Sequence, residues 1–466
     1  MAGDRMSPLD ASFLHIEDDV SPMHVGTIAI FEGPPPVFDD LVEMMRGKLP
    51  LIPRYRQVVR FVPLELGRPM WVDDPHFNIE YHVRHTALPA PGGEGELRKL
   101  VGRVMAQALD RGKPLWELWV VEGLEDDHWA ILGKTHHCMV DGVSGTDLLS
   151  VIMDLSPEIS PPVPDDWTPR PAPNNAEMVG TAVLDMARDP YEQLRAMRAS
   201  LRAPKQALAE VADVVKAVSS ASGVVRATPE STLNGPIGPH RRYAWATSTV
   251  DEVKQVRKAV GGTFNDVVMA AITSGFRDLL LSRGESVDRV VRTLVPVSVR
   301  PRDESGKAVG DGTFENKVSG MIAELPVGED DPLQRLRLIS AQMDSLKESK
   351  QALAGEALTS MSGFAPPVLL AMGTRLASRL PQRNVNTGTT NVPGPQIPLY
   401  AAGRRMLKAF PYVPLFHQIR VAVAIFSYDG QVNFGITGDY DSMADIMVLA
   451  EGIENGMAEL LKLPAT

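Results

Sequence analysis

Two adjacent histidines mark the place in this chain where residues capable of chemistry crowd together. His136-His137-Cys138-Met139-Val140-Asp141-Gly142 sets two imidazoles, a thiol and a carboxylate in one short stretch. The apolar run Trp129-Ala130-Ile131-Leu132 precedes it and Val143 to Met153 follows, so the stretch reads as strand, turn, helix. Alternation along a strand sends His136 and His137 to opposite faces, and only one can look into a given cavity. A neutral imidazole whose pKa lies near working pH suits a general base. Two strand histidines facing apart cannot readily share one ion, and no Cys/His cluster with ligand spacing occurs elsewhere, so no metal is expected. Cys138 raises the thought of a thiol nucleophile, but a buried thiol is usually inert packing.

The elements that must position these groups can be read along the chain. Met23 to Phe31 is a strand and Phe38 to Lys48 a helix, with another helix at roughly 95–108. Trp116 to Val121, a short acidic turn and the strand into the histidines form a hairpin, with Trp116 and Trp119 in the sheet as core packing. Ser156 to Pro173 is a Pro-rich linker, and residues 176–221 read as helices broken near Pro190 and Pro204, bracing two domains or lying on a membrane. A second α/β unit starts near Arg241, with a strand to Val250 and a helix from Asp251. Thr263-Phe264-Asn265-Asp266 sits at a helix start, where capping and a role at an active channel both stay open for Asn265 and Asp266. Residues 294–300 and 318–322 read as strands, and Thr389 to Pro395, which includes Asn391, as a loop. Val421 to Ile436 forms a hairpin around Asp429-Gly430, and a last helix runs from about Asp445 to Leu461. Pro366 to Met372 with Arg375, Arg379 and Arg383 is a candidate lipid-touching segment or a core helix with solvated arginines.

With 466 residues the chain is too long for one ordinary core. We divide it into an α/β unit at 1–160, a connector at 161–235 and a second unit at 236–466. A net charge of -11 argues against nucleic acid, whose backbone calls for basic surfaces. It also means that docking on an anionic bilayer needs a local basic or apolar patch. One cysteine permits no intramolecular disulfide, and neither a basic-apolar leader nor an uninterrupted apolar run of about 18 residues occurs. The expected location is cytoplasmic, with peripheral attachment to the inner face of a membrane or to lipid droplets left open.

His136-His137-x-x-x-Asp141-Gly142 resembles the HHxxxDG signature of the CoA-dependent acyltransferase superfamily. Pro8-Leu9-Asp10-Ala11-Ser12-Phe13, Pro114-Leu115-Trp116, Asn265-Asp266, Val295-Pro296-Val297-Ser298-Val299-Arg300 and Thr390-Asn391-Val392-Pro393-Gly394-Pro395 are similar, in order and spacing, to the bacterial wax ester synthase/diacylglycerol acyltransferase branch. Glu315-Asn316 departs from the Gly-Asn pair of many relatives, and the plant-type DFGWG signature is absent. The resemblance implies two chloramphenicol-acetyltransferase-like α/β domains with mixed sheets and an active-site tunnel at their interface. It implies His137 as general base, His136 in support, and Asp141 with Gly142 shaping the turn, Arg56 being the match for the arginine that pairs with the motif aspartate. Asn265, Asp266, Trp116 and Asn391 become substrate-binding candidates, and Asn265 or a backbone N–H near Gly142 a candidate oxyanion donor. The implied reaction esterifies diacylglycerol or a long-chain alcohol with acyl-CoA as a substrate and no cofactor. Two alternatives stand beside it, a condensation-type enzyme using a carrier-bound donor and a non-catalytic binding protein of the same fold.

Overall fold

The first half of the chain forms β1 (Asp4–Arg5), β2 (His24–Phe31), β3 (Gln57–Arg60), β4 (Met70–Asp73), β5 (Val83–Ala87), β6 (Trp116–Glu122) and β7 (Trp129–His136). Helices α1 (Pro8–Ile16), α2 (Phe38–Lys48), α3 (Ile79–His82) and α4 (Glu94–Met105) lie among them, and α5 (Asn175–Arg188) follows the linker. The second half supplies β8 (Arg241–Thr249), β9 (Val291–Ser298), β10 (Val318–Leu325), β11 (Thr387–Pro393), β12 (Tyr400–Ala401), β13 (Arg404–Tyr412), β14 (Val421–Tyr428) and β15 (Gln431–Asp439). Its helices are α6 (Val250–Val260), α7 (Phe264–Ser282), α8 (Pro332–Glu348) and α9 (Ile446–Leu461). This computed structural model describes residues 4–140, 151–188, 231–298, 318–348, 385–416 and 418–464.

Among the described residues, two six-stranded sheets dominate, ordered β12-β13-β2-β7-β6-β5 and β10-β9-β11-β14-β15-β8. Both are mixed, because β5 runs parallel to β6 and β11 runs parallel to β9 and β14. This is the mixed α/β class expected from the sequence. Both hairpins form as expected, β6 with β7 and β14 with β15, and the last helix ends at Leu461. Central strands such as β14, buried along its whole length, read as continuous apolar runs because both sheet faces are covered.

Two features differ from the sequence reading. Residues 389–393, read as a loop, form most of strand β11, with Asn391 opposite Ile425 of β14. Pro393 sits at the last position of that strand, where a missing N–H removes no interior ladder bond, and its threonines suit a pleated surface. The second feature is a crossing, since β12 and β13 come from the second half yet complete the first sheet, β13 pairing with β2. A division of the chain at 160 and 236 therefore does not separate the sheets.

The crossing welds the halves together. Leu97, Val101 and Met105 of α4 share a buried cluster with Tyr243 and Trp245 of β8 and with Phe410 and Tyr412 of β13. Two glycines permit the approach. A Cβ at Gly102 would stand 2.5 Å from the Arg241 carbonyl, and one at Gly435 would stand 1.7 Å from that of Pro411. The Pro-rich linker is also fastened to the first half, through Arg170 to Asp73 (3.0 Å) and Arg56 to Asp165, and Lys48 holds Asp154 just before it (2.7 Å).

Candidate functional site

β7 is held on both sides, by β2 with His24 opposite His136 and by β6 with Trp116 opposite Thr135. It ends at His136, and a short 3-10 turn, His137–Met139, begins. The His137 N–H donates to the Met23 carbonyl (2.8 Å) and the Cys138 N–H to His136 Nδ1 (3.1 Å). The turn is thus fixed by groups on both strand and side chain before any ligand arrives.

The two imidazoles part company, as the sequence reading expects, but at the step from strand to 3-10 turn rather than along the strand. His136 is fully buried. His137 stacks on the Phe13 ring of α1, with centroids 3.9 Å apart and planes 21° from parallel. Burial pushes the His137 pKa down to about 4, its own main chain pulling weakly the other way and the nearby His136 adding to the fall. Its Nδ1 is buried with no hydrogen-bond partner from another residue among those described. The ring is therefore neutral at physiological pH and held face-on by an aromatic plane, while its pKa lies below the working range the sequence reading assumes, because burial disfavours its charged form.

Behind the strand lies a set of buried charges. Glu17, the C-cap of α1, accepts from the Met23 N–H (3.0 Å) and from Arg111 Nε (3.1 Å) and Nη2 (2.6 Å), and its Oε2 lies 3.5 Å from His136 Nε2. Burial alone would raise the Glu17 carboxyl, yet His136 and then Arg111 hold it well below the usual carboxylate range. Lys134 donates to the carbonyls of Val104 (2.9 Å) and Gln107 (2.5 Å) at the end of α4, where the helix dipole favours a cation. Burial lowers its ammonium to about 8, although Glu117 at 3.9 Å pulls it upward. Burial also lifts the Cys138 thiol well above its ordinary value, so it is no ready thiolate.

The candidates in the second half separate into two kinds. Asp266 is buried within a capping box: its N–H donates to Thr263 Oγ1 (3.2 Å), and its Oδ2 accepts from the Thr263 N–H (2.8 Å) and from Ser340 Oγ (3.0 Å). Asn265 is beside it in the first turn of α7, and its Oδ1 accepts from Asn391 Nδ2 of β11 at 3.4 Å. Two asparagines far apart in sequence thus form one amide pair. The next residue on β11, Val392, packs against the core that holds Cys138 and Met139. Trp116 lies between Tyr55 and His82, each 4.5 Å away, and its Nε1 donates to the Tyr55 carbonyl (2.9 Å), the environment of a core residue.

Asp141 and Gly142 lie outside the described residues, as do residues 189–230, the 299–317 stretch with Glu315-Asn316, and the 366–383 segment. The guanidinium of Arg56 is bidentate on Asp165 of the linker and lies over the Trp167 ring at 4.9 Å. Sequence reasoning missed Glu17 and Arg111, which carry no local signal and are brought to His136 only by folding. Phe13 stood within a recognised run, but nothing in that run tells that its ring meets His137.

Comparison with known proteins gives the family. Residues 6–268 match the wax ester synthase/diacylglycerol acyltransferase catalytic domain, and residues 314–461 match the WS/DGAT C-terminal domain. A Mycobacterium tuberculosis protein named as a probable diacylglycerol O-acyltransferase, tgs1, is 39% identical over 463 residues, covering 98% of this chain and 96% of its own. The solved wax ester synthase/diacylglycerol acyltransferase of Marinobacter aquaeolei VT8 superposes with a TM-score of 0.68 at 25% identity, covering 98% of each chain. The first condensation domain of the calcium-dependent antibiotic synthetase shares the fold at a TM-score of 0.59 and 16% identity, over 100% of this chain and 97% of its own. The chain therefore belongs to the wax ester synthase/diacylglycerol acyltransferase family.

Proposed function

We propose that this enzyme transfers a fatty acyl group from acyl-CoA to the hydroxyl of diacylglycerol or of a long-chain alcohol, with His137 as general base. The observation that carries the reading is the His137 ring, neutral by burial and fixed against Phe13 at the end of β7. In this reading His137 takes the acceptor's hydroxyl proton as the oxygen attacks the thioester carbonyl. The tetrahedral oxyanion collapses and expels CoA thiolate, which recovers the proton as free thiol. A base with a pKa near 4 gives up that proton readily, so it stays charged only while the oxyanion beside it persists. Holding donor and acceptor against one base supplies proximity directly and needs no acyl-enzyme.

The amide pair suits the oxyanion. With Asn265 Oδ1 engaged by Asn391, the Asn265 Nδ2 is oriented as a donor, and it stands at the positive end of the 19-residue helix α7. Substrates would meet in a tunnel between the two sheets, on a membrane or droplet surface. Contact with lipid in this reading is peripheral; no described helix is long and apolar enough to cross a membrane.

The test is release of CoA thiol from palmitoyl-CoA, with diacylglycerol and hexadecanol as separate acceptors. Acceptor-dependent release by the parent should fall by about two to four powers of ten in a folded His137→Ala variant. No release with either acceptor, or an unimpaired variant, would sink the assignment.

A further inference from the structure

Helix α1 holds both histidines, one from each end of its last turns. Phe13 stacks on His137, and Glu17, four residues on, closes the helix and reaches His136. A backbone N–H can only donate, so His136 Nδ1, which receives the Cys138 N–H at 3.1 Å, has to be the bare nitrogen. The ring's proton is therefore on Nε2, and the carboxylate of Glu17 stands 3.5 Å from it. At that distance the contact is long for a hydrogen bond and works chiefly as attraction between a carboxylate and an N–H dipole. Arg111 and the Met23 N–H fix the carboxylate itself, so its direction is set independently of His136.

We propose that Glu17 is a positioning residue for the acyl transfer: it keeps the proton of His136 on Nε2, so that Nδ1 stays open to the Cys138 N–H and the turn carrying His137 keeps its shape. The opposite tautomer would aim an Nδ1–H at the Cys138 N–H, two donors face to face inside a buried turn. That turn would have to open, carrying the His137 ring away from Phe13. The Met23 main chain ties the device together, since its N–H is held by Glu17 and its carbonyl receives the His137 N–H at 2.8 Å. The inference rests on the reading of His137 as base.

The experiment observes His136 directly. In the full-length parent labelled with 15N-histidine, the imidazole cross-peaks, with His136→Gln used for assignment, should show Nε2 protonated and Nδ1 bare. A protonated Nδ1 would overturn the proposal whatever the activity, which keeps its failure apart from failure of the acyltransfer reading. Glu17→Met removes every acceptor at similar size, and Glu17→Gln keeps one carbonyl. The Met variant should show mixed His136 tautomers and a kcat lowered about 10- to 100-fold with KM within about twofold. The Gln variant should retain the Nε2–H signal and most of kcat. A folded Met variant with the parent's tautomer and kcat would refute the role, and should that variant fail to fold, the parent's spectrum still decides.

Discussion

The two six-stranded sheets carry their interior polar groups in opposite ways. In the first sheet, β7 buries Lys134 and His136 within three residues of its end, and their neighbours include Glu17, Glu117 and His24. In the second, the buried charges Arg241 and Asp439 stand opposite each other at the ends of β8 and β15, and the polar groups further inside are neutral: Thr293 Oγ1 donates to Thr389 Oγ1 (2.8 Å), Thr387 Oγ1 to the Val421 carbonyl (2.9 Å) and Asn433 Nδ2 to the Ala409 carbonyl (3.0 Å). Burying charge costs several kcal/mol per group unless it is paired, whereas a hydroxyl or amide needs only one good hydrogen bond. The difference teaches where a proton can move. The first sheet has titratable groups tuned by burial around His137, and the second offers fixed dipoles, the Asn265–Asn391 pair among them.

That contrast can be broken or sharpened by substitution. Beyond the loss expected from His137→Ala, the next largest effect should come from Asn265→Ala, which removes the proposed oxyanion donor from the neutral side. We expect kcat to fall about 10²-fold with thermal stability nearly unchanged, measured as CoA release alongside a melting curve. A variant that raised KM alone would reassign Asn265 to binding. Phe13→Leu keeps apolar bulk and removes the stack on His137. Ring pairs of this kind contribute about 0.5–1.5 kcal/mol, so kcat should drop roughly two- to tenfold, and an unaltered kcat would show that the stack positions nothing.

The pH response sharpens the comparison from the other direction. Because His137 titrates near 4, kcat/KM should stay level from about pH 8 down to about pH 5 and fall only below that. A decline centred near 6.5 would mean that the ring is solvated and the Phe13 stack open. Stability should respond earlier. His82, buried against Trp116, also has its pKa lowered to about 4. Between the unfolded value near 6.5 and the folded value near 4, the unfolded chain binds more protons at both histidines. Their contribution is complete above pH 6.5 and is lost as pH falls through that window, at up to about 1.4 kcal/mol per pH unit for each. Chemical denaturation at pH 7.5 and 5.0 measures it, and equal midpoints would refute the burial of these rings.

Some of this molecule is local in origin and was legible for that reason. The strand into His136, the two hairpins, the helix start at Thr263-Phe264-Asn265-Asp266 and the final helix follow from periodicity, turn residues and capping chemistry acting within a few residues. The parting of His136 from His137 is expected from strand alternation, and the structure completes it with the 3-10 turn that begins at His137. The loop reading of residues 389–393 failed because a Pro-ended, threonine-rich run becomes a strand only when β14 lies alongside it, which no local pattern announces.

What the sequence determined by itself was the histidine pair, the strand that leads into it and, through its ordered motifs, the family. Tertiary structure alone decided which partners those residues meet. Phe13 and Glu17 reach the two histidines because α1 packs beneath the end of β7, Asn391 reaches Asn265 because β11 runs beside β14, and β13 joins the opposite sheet. Such contacts depend on how faces pack over long separations in the chain, and side-chain spacing along one segment carries no record of them.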